Sequence, residues 1–191
     1  MSIIGNYTDT QILDRVRSLP SFKGFPAGML DIWIRSRADA YDQFDDKVYT
    51  YQCFGSETQP EFKMVSTGTS NAGSFGLMNF RTYNARGCAV LKSDLIVYNS
   101  HAYGLHKGKP AYVQTAGFPY YRDGNRNKSA EELGEIFTDI IGANCHRAGT
   151  FSTLIYNWSV ACLVRNQLKQ FLAWLDLMNR RPLSVCILKE F

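Results

Sequence analysis

Residues 144–165 read NCHRAGTFSTLIYNWSVACLVR, and the rest of the chain is interpreted outward from this stretch. His146 comes first, and Cys162 follows sixteen residues later. Small and polar residues such as Gly149 and Ser152 lie between them, a composition typical of a loop that closes back on itself. Such a loop would bring the imidazole beside the thiol. Because an imidazole can take the proton of a thiol and so create a nucleophilic thiolate, the pair predicts acyl transfer.

The flanking residues of this pair resemble the catalytic motif of the L,D-transpeptidases, a family of cysteine enzymes that act on peptidoglycan stem peptides. The family pattern is a histidine, often followed by glycine, and then Ser-His-Gly-Cys with an arginine two residues further on. His146, Ser159 and Cys162 fall on matching positions of this pattern. The resemblance implies a mainly β fold, an L,D-transpeptidase-like β-sandwich or barrel with a few peripheral helices.

The chain departs from the family pattern next to the cysteine. Val160 and Ala161 stand where the family has histidine and glycine, and Val164 occupies the usual arginine position, so that Arg165 comes one residue late. If the family glycine adopts a positive φ, an alanine there costs on the order of 1 kcal/mol. Ala161 therefore motivates an alternative function, a non-catalytic structural or cell-wall-binding protein that retains the fold.

A second element of the resemblance lies upstream. In the family an early strand often ends in Ser-Thr-Gly before a loop that ends in Pro-x-Gly. Residues 66–68 read Ser-Thr-Gly, and residues 71–73 followed by Gly76 stand in for the second element without a proline. A glycine turn without any functional role is the other interpretation of this loop.

The resemblance assigns roles to the matching residues. Cys162 would attack a stem-peptide carbonyl to give a thioacyl intermediate, and His146 would act as general base and then as general acid. In the family a main-chain carbonyl commonly orients the histidine, and neither a metal nor another cofactor is implied. An imidazolium beside Cys162 is expected to lower the pKa of the thiol. The supporting residues are Gly149, Ser159, Ala161 and Arg165, which would shape the loop, supply oxyanion donors or bind a substrate carboxylate.

Other histidines and cysteines offer rival sites. A papain-like arrangement, with the cysteine before the histidine, would use Cys88 with His101 or His146. His101 and His106 are five residues apart in a segment that resembles a solvent-facing loop, although either could line a substrate groove. Cys145 would point to the opposite face of its strand from its neighbour and is interpreted as a core thiol.

Composition restricts the classes of function. The chain has 191 residues, of which 45% are hydrophobic and 14% aromatic, enough for one globular domain spanning residues 1–191. A net charge of +4 fits attraction to an anionic cell wall and is too weak to indicate nucleic-acid binding. Five cysteines without a C-x-x-C pair indicate neither a disulfide framework nor a zinc site.

The predicted partner is therefore peptidoglycan, and the route to it stays open. Residues 1–6 do not resemble the start of a signal peptide, and no run of eighteen apolar residues predicts a membrane span. The localisation is unknown from sequence. Access to the wall would come from lysis, from delivery in a virus particle by a virus-encoded version, or from a dedicated secretion assembly.

The spacing of hydrophobic residues predicts the helices and strands. Strands are expected at 29–35, 48–54, 62–68, 88–91, 95–98, 111–115, 139–146 and 183–188. The first three, separated by turns at 38–46 and 55–60, predict an antiparallel meander. Helices are expected at about 8–19 as an N-terminal cap, at 130–137, and at 166–178. The inward face of the last helix is predicted to carry Leu168, Phe171, Leu172 and Leu175.

Overall fold

The computed structural model describes residues 5–38, 40–56 and 58–191. The chain begins with the helix α1 (Asp9–Arg17), whose capping box uses Thr8 and Gln11: the backbone N–H of each residue bonds to the side chain of the other. This is the predicted N-terminal helix, and Ile12, Leu13 and Val16 bury its apolar face. Residues 1–4, and Asp39 and Glu57 in the two predicted turns, lie outside the described residues.

The first three strands form the predicted meander. The structure has β1 (Ala27–Arg35), β2 (Asp46–Phe54) and β3 (Glu61–Thr69), with antiparallel pairing of β1 to β2 and of β2 to β3. The third strand passes from exposed residues at its start, Glu61 and Phe62, to buried residues at its end, Gly68 and Thr69. The first strand is buried along most of its length because it lies between two neighbours and under α1.

The remaining elements follow in chain order. They are α2 (Ser74–Met78), a 3₁₀ turn (Phe80–Thr82), β4 (Cys88–Leu91), β5 (Leu95–His106), β6 (Lys109–Gln114), β7 (Phe118–Asp123), β8 (Phe137–Asp139), β9 (Cys145–Arg147), β10 (Leu163–Arg165), α3 (Leu168–Met178) and β11 (Leu183–Lys189). The predicted mainly β fold is confirmed. None of the helices in the described part of the chain is long and apolar enough to span a membrane.

Eight of these strands close into a barrel. Their order is β1-β11-β5-β6-β9-β10-β3-β2, and a separate three-stranded sheet has the order β4-β7-β8. Two neighbouring pairs are parallel, β1 with β11 and β9 with β10. Closure leaves the barrel strands with hydrogen-bonding partners on both sides, so the fold has few open edges there. In the parallel β9–β10 pair, the first strand contains His146 and the second begins one residue after Cys162.

A buried polar network lies inside the barrel. Arg165 and Asp31 are both fully buried, and the guanidinium Nη2 donates to Oδ2 of the carboxylate over 2.8 Å. The other carboxylate oxygen accepts from the Thr50 hydroxyl at 2.6 Å and from the Trp174 indole N–H at 3.2 Å. The guanidinium also lies 4.0 Å above the Trp174 ring and donates from Nε to the Ser66 hydroxyl. Strands β1, β2, β3 and β10 and helix α3 are thus joined through one ion pair.

Gly68, in the Ser-Thr-Gly stretch, permits this strand packing. A Cβ atom on this residue would lie 2.5 Å from the Val164 carbonyl oxygen and 2.8 Å from the Trp33 ring. The glycine pairs with Arg165 in the β3–β10 ladder. A side chain there would therefore push away the strand that follows Cys162.

Three sequence predictions require correction. Residues 130–136 form no helix; the Glu131 carboxylate instead accepts from the side-chain amides of Asn125 and Asn127, which binds the segment to the preceding turn. The predicted strand 139–146 is interrupted at 140–144, where Gly142 has a φ of +76°. There the side-chain oxygen of Gln114 accepts hydrogen bonds from the backbone N–H groups of residues 141 and 143. These bonds take the place of the backbone hydrogen bonds that a neighbouring strand would provide.

The buried face of α3 also differs from the expected one. Phe171, Trp174 and Met178 are buried, whereas Leu172 is 54% exposed. Eight of the eleven residues of this helix are apolar, so periodicity alone did not select the face. Packing of the indole against the Asp31–Arg165 pair selects it instead.

The buried ion pair generates a stability prediction. Asp31→Asn leaves the buried Arg165 guanidinium without its counter-charge, so the free energy of unfolding is expected to fall by about 3–5 kcal/mol. The matched control is Glu135→Gln, which neutralises a carboxylate in the exposed pair with Arg86 and is expected to cost less than about 1 kcal/mol. Urea unfolding of both variants measures the difference, and equal losses would contradict it.

Candidate active site

The parallel pairing of β9 and β10 brings His146 and Cys162 together. In the ladder, Cys145 pairs with Leu163 and His146 with Val164. Cys162 directly precedes the second strand, β10. The intervening segment leaves one strand and returns to the start of its neighbour, as the small and polar residues of the loop predict. One ring nitrogen of His146 and the sulfur of Cys162 lie within 4.8 Å of each other.

The imidazole of His146 is oriented by a main-chain carbonyl. Its Nδ1 lies 2.8 Å from the Arg147 carbonyl oxygen, which can only accept, so Nδ1 carries the proton. Nε2 is therefore the unprotonated nitrogen. This nitrogen has no hydrogen-bond partner, although it is buried and His146 as a whole is only 7% exposed, so that water does not reach it readily. The resting thiol donates instead to the Gly142 carbonyl oxygen at 3.5 Å. One nitrogen of the ring thus lies within 4.8 Å of the sulfur, and no hydrogen bond joins the imidazole to the thiol.

A second histidine completes the cluster. The ring of His106, at the end of β5, is stacked on that of His146 with centroids 4.4 Å apart and planes 10° apart. Asn144 holds it in place: Oδ1 accepts from the backbone N–H of Gln114 at 2.9 Å, so Nδ2 must donate to Nδ1 of His106, also at 2.9 Å. The expectation that this histidine lies in a solvent-facing loop is wrong.

Burial keeps both members of the pair uncharged near neutral pH. It lowers the pKa of His146 to about 4, and the neighbouring His106, Lys107 and Arg147 lower it further against the opposing effect of the Arg147 carbonyl. Burial raises the pKa of Cys162 to about 11, against the opposing effects of the Asn144 backbone and the Lys107 charge. The expected imidazolium that lowers the thiol pKa is therefore wrong for the resting structure: the pair is a neutral acid beside a neutral base.

Ser159 closes the turn that presents the cysteine. This buried hydroxyl donates to the carbonyl oxygen of Cys162 at 2.8 Å, while its own carbonyl accepts from the N–H of Gly73. Gly149, at the other end of the loop, donates its N–H to the Ser152 hydroxyl. The φ of Ala161 is not positive, so the strain that would have argued for a non-catalytic protein does not arise.

Arg165 does not reach a substrate. Its guanidinium is fully buried in the barrel network described above, so the expected role in binding a substrate carboxylate is wrong. Side chains alternate between the two faces of a strand. An arginine at the family position, here Val164, would point to the opposite face from residue 165.

The rival site built on Cys88 is not assembled. Cys88 is buried in β4, donates to the Val160 carbonyl oxygen and has a pKa raised to about 12 by burial. His101 is 1% exposed and has both ring nitrogens bonded, Nδ1 to the Ser100 hydroxyl and Nε2 to the Ala143 carbonyl. It lies in β5, so its assignment to a solvent-facing loop is wrong. Cys145 is fully buried in the main core, as predicted.

Each member of the pair lines a different cleft. One has a volume of about 170 Å³ on the histidine side, and its lining contains no carboxylate. It is lined by His106, Lys107, Lys109, Pro110, His146, Arg147, Ala148, Asn157 and Trp158. The other, of about 280 Å³, lies on the cysteine side and includes Tyr83, Asn84, Arg122, Gly142, Ala161 and Cys162.

Ring geometry decides whether this cluster can hold a metal. His106, His146 and Cys162 each offer one donor atom within 4.8 Å of the others. The lone pair of an imidazole nitrogen lies in the ring plane, and these planes are stacked only 10° apart, so the two lone pairs do not converge on one point. Rotation of either ring would break its bond to Asn144 or to the Arg147 carbonyl. In this arrangement the two imidazoles do not present their lone pairs to a common metal position.

Comparison of the chain with protein-family models, curated proteins and solved structures finds no match. The resemblance to the L,D-transpeptidases thus rests on the sequence motif alone.

Sequence reasoning missed two features of the site. His106 was expected as a possible groove residue and does line the cleft, but its hydrogen bond to Asn144, 38 residues away along the chain, was not foreseen. Lys107 lines the cleft because it forms, with Gly108, a two-residue hairpin turn in which both residues have a positive φ. A Lys-Gly pair between two apolar runs was the available signal for this hairpin.

The neutral resting pair generates a prediction about thiol reactivity. Alkylation of Cys162 by iodoacetamide is expected to rise about tenfold per pH unit between about pH 7 and 10, because only the thiolate reacts and its pKa is about 11. Peptide mass spectrometry measures the rate at each cysteine, and the buried Cys53 and Cys186 serve as unreactive controls. A flat profile from about pH 6 to 9 would indicate an imidazolium–thiolate pair and contradict the prediction.

Proposed function

We propose that the protein is a cysteine-dependent acyl-transfer enzyme whose nucleophile is Cys162 and whose base is His146. The observation that carries this proposal is the unpartnered, buried Nε2 of an oriented imidazole whose ring lies near a thiol. Structural histidines in cores satisfy both ring nitrogens, as His101 does. An acceptor left free in a side chain that lines a cleft fits a group that receives a proton during a reaction.

The substrate class is peptidoglycan stem peptides. This part of the proposal rests on the motif formed by His146, Ser159 and Cys162, and on a basic cleft suited to an anionic peptide. Access to the wall by lysis, by delivery in a virus particle or by a secretion assembly belongs to the same proposal.

Proton transfer accompanies attack in the proposed mechanism. As the sulfur of Cys162 bonds to the substrate carbonyl carbon, its proton passes to Nε2 of His146, and the carbonyl oxygen becomes an oxyanion. Collapse of this intermediate breaks the carbon–nitrogen bond, and the imidazolium returns the proton to the leaving amine. An amine or water then attacks the thioacyl group, with the same imidazole as base, and restores the thiol.

The backbone at the cysteine supports oxyanion binding. In the described residues, the N–H groups of Ala161 and Cys162 make no hydrogen bond, and both residues line the larger cleft. Two free N–H groups next to a nucleophile are suited to a developing negative charge. The Ser159 hydroxyl fixes this turn by its bond to the carbonyl oxygen of residue 162.

The positions of base and nucleophile predict which part of the substrate each cleft binds. The leaving amine must lie near His146 to receive its proton, which places the leaving group in the small basic cleft. The acyl part then lies in the larger cleft beside Cys162. The basic cleft, at about 170 Å³, is smaller than the roughly 300–1,000 Å³ of typical ligand pockets and suits a small group that bears a carboxylate.

Removal of the nucleophile tests the proposed function. Cys162→Ala is expected to abolish the release or exchange of fragments from purified peptidoglycan, because no thioacyl intermediate can form. Chromatography of the soluble fragments measures turnover, and thermal unfolding shows that the variant is folded. Full turnover in this variant would refute the assignment. A wild-type protein that sediments with peptidoglycan but releases nothing would favour the wall-binding alternative.

A second prediction concerns charge in the basic cleft. Lys107→Ala is expected to raise KM roughly tenfold for a stem peptide with a free terminal carboxylate, about 1.4 kcal/mol, as expected for one lost charged hydrogen bond. KM for the same peptide with a terminal amide should change little. Lys169→Ala, which removes an exposed lysine on α3, is the matched control. Equal effects on both peptides would contradict carboxylate recognition here.

A further inference from the structure

The stacked His106 has no role in the proton transfers proposed above. Its ring comes from β5, on the far side of β6 from the catalytic stretch, and lies face to face with the His146 imidazole at 4.4 Å between centroids. Stacking with planes 10° apart leaves one whole face of the His146 ring in contact with a second ring.

The position of His106 is determined by the same loop that leads to His146. Gln114 accepts the backbone N–H groups of Ile141 and Ala143 with its side-chain oxygen, which fixes the path of the loop. Its own backbone N–H fixes the Asn144 amide, and that amide donates to Nδ1 of His106. Neutral His106 therefore carries its proton on Nε2, and rotation of its ring would break this bond.

The His146 ring also has a single hydrogen bond. Nδ1 donates to the Arg147 carbonyl, and Nε2 has no partner in the resting structure. Rotation of this ring toward the 170 Å³ cleft that it lines would break only that bond. The stacked His106 ring covers one face of the His146 imidazole and opposes such a rotation.

We infer that His106 is a positioning residue: its ring, held by Asn144, forms a wall that keeps the His146 imidazole in the orientation needed to receive the Cys162 proton. The inference rests on the proposed function for its effect on turnover, but the orientation of the ring is a property of the free protein. His106 acts through the other imidazole and needs only its flat ring.

Two variants separate the ring from its nitrogen atoms. His106→Phe keeps a flat ring on His146 and removes both nitrogens, whereas His106→Ala removes the wall. Leu105→Ala is the matched control, because this neighbouring side chain in β5 is 64% exposed and lines neither cleft. Turnover of a stem peptide gives kcat and KM, and ¹⁵N NMR of the imidazole nitrogens reports the His146 tautomer without substrate.

The expected result is a decrease in kcat on the order of 100-fold for His106→Ala with KM unchanged, the usual effect of a misplaced catalytic group. His106→Phe and Leu105→Ala should keep most of the wild-type kcat. In the NMR spectra, His146 should remain the single Nδ1–H tautomer in the wild type and in His106→Phe and exchange between tautomers in His106→Ala.

Two results would overturn the inference. Wild-type kcat and a single tautomer in His106→Ala would show that no wall is needed. An equal loss of kcat in His106→Phe and His106→Ala would show that a nitrogen of His106 acts directly. Absence of turnover in the wild type would refute the proposed function, and the tautomers in the three spectra would then decide the positioning role alone.

Discussion

The buried ion pair between Asp31 and Arg165 is the interaction on which the rest of the structure depends. It joins β1 to β10 inside the barrel, and its remaining bonds reach β2, β3 and α3. Two charges without access to water are costly, and Nη1 of Arg165 is buried without a hydrogen-bond partner, so the bonds to Asp31 and Ser66 are the ones that offset the cost of burying this guanidinium. Because β10 begins one residue after Cys162, the pair also fixes the position of the proposed nucleophile relative to β9 and its histidine.

Burial outside the barrel core explains the state of the proposed catalytic pair, whose cysteine packs with Val164 in a separate small cluster. Burial disfavours charge on both the thiol and the imidazole, so the resting site stores no thiolate. In the proposed reaction, charge appears only when a substrate carbonyl is present to accept electrons from sulfur. The Lys107 charge and the free N–H groups of residues 161 and 162 are then close enough to oppose the cost of that charge.

The surroundings of the Arg165 and His106 side chains differ from those that the sequence predicted. Arg165 was expected to shape the loop or bind a substrate carboxylate, and His106 to lie in a solvent-facing loop or line a groove; the structure buries Arg165 in the barrel and places His106 in the lining of a cleft. A shift of one residue in a strand moves a side chain to the opposite face, so an arginine one position late points into the barrel. The stacked histidine comes from a strand on the other side of β6, and no local pattern encodes that proximity.

The sequence by itself determined the elements whose signal is local. Alternation over residues 29–68 specified the meander, Thr8 and Gln11 specified the start of α1, and small residues between His146 and Cys162 specified a returning loop. Tertiary structure alone decided the parallel pairing of β9 with β10, the buried face of α3 and the imidazole stack. Each of these depends on contacts between residues distant in the chain, and barrel closure rather than residue pattern brings them together.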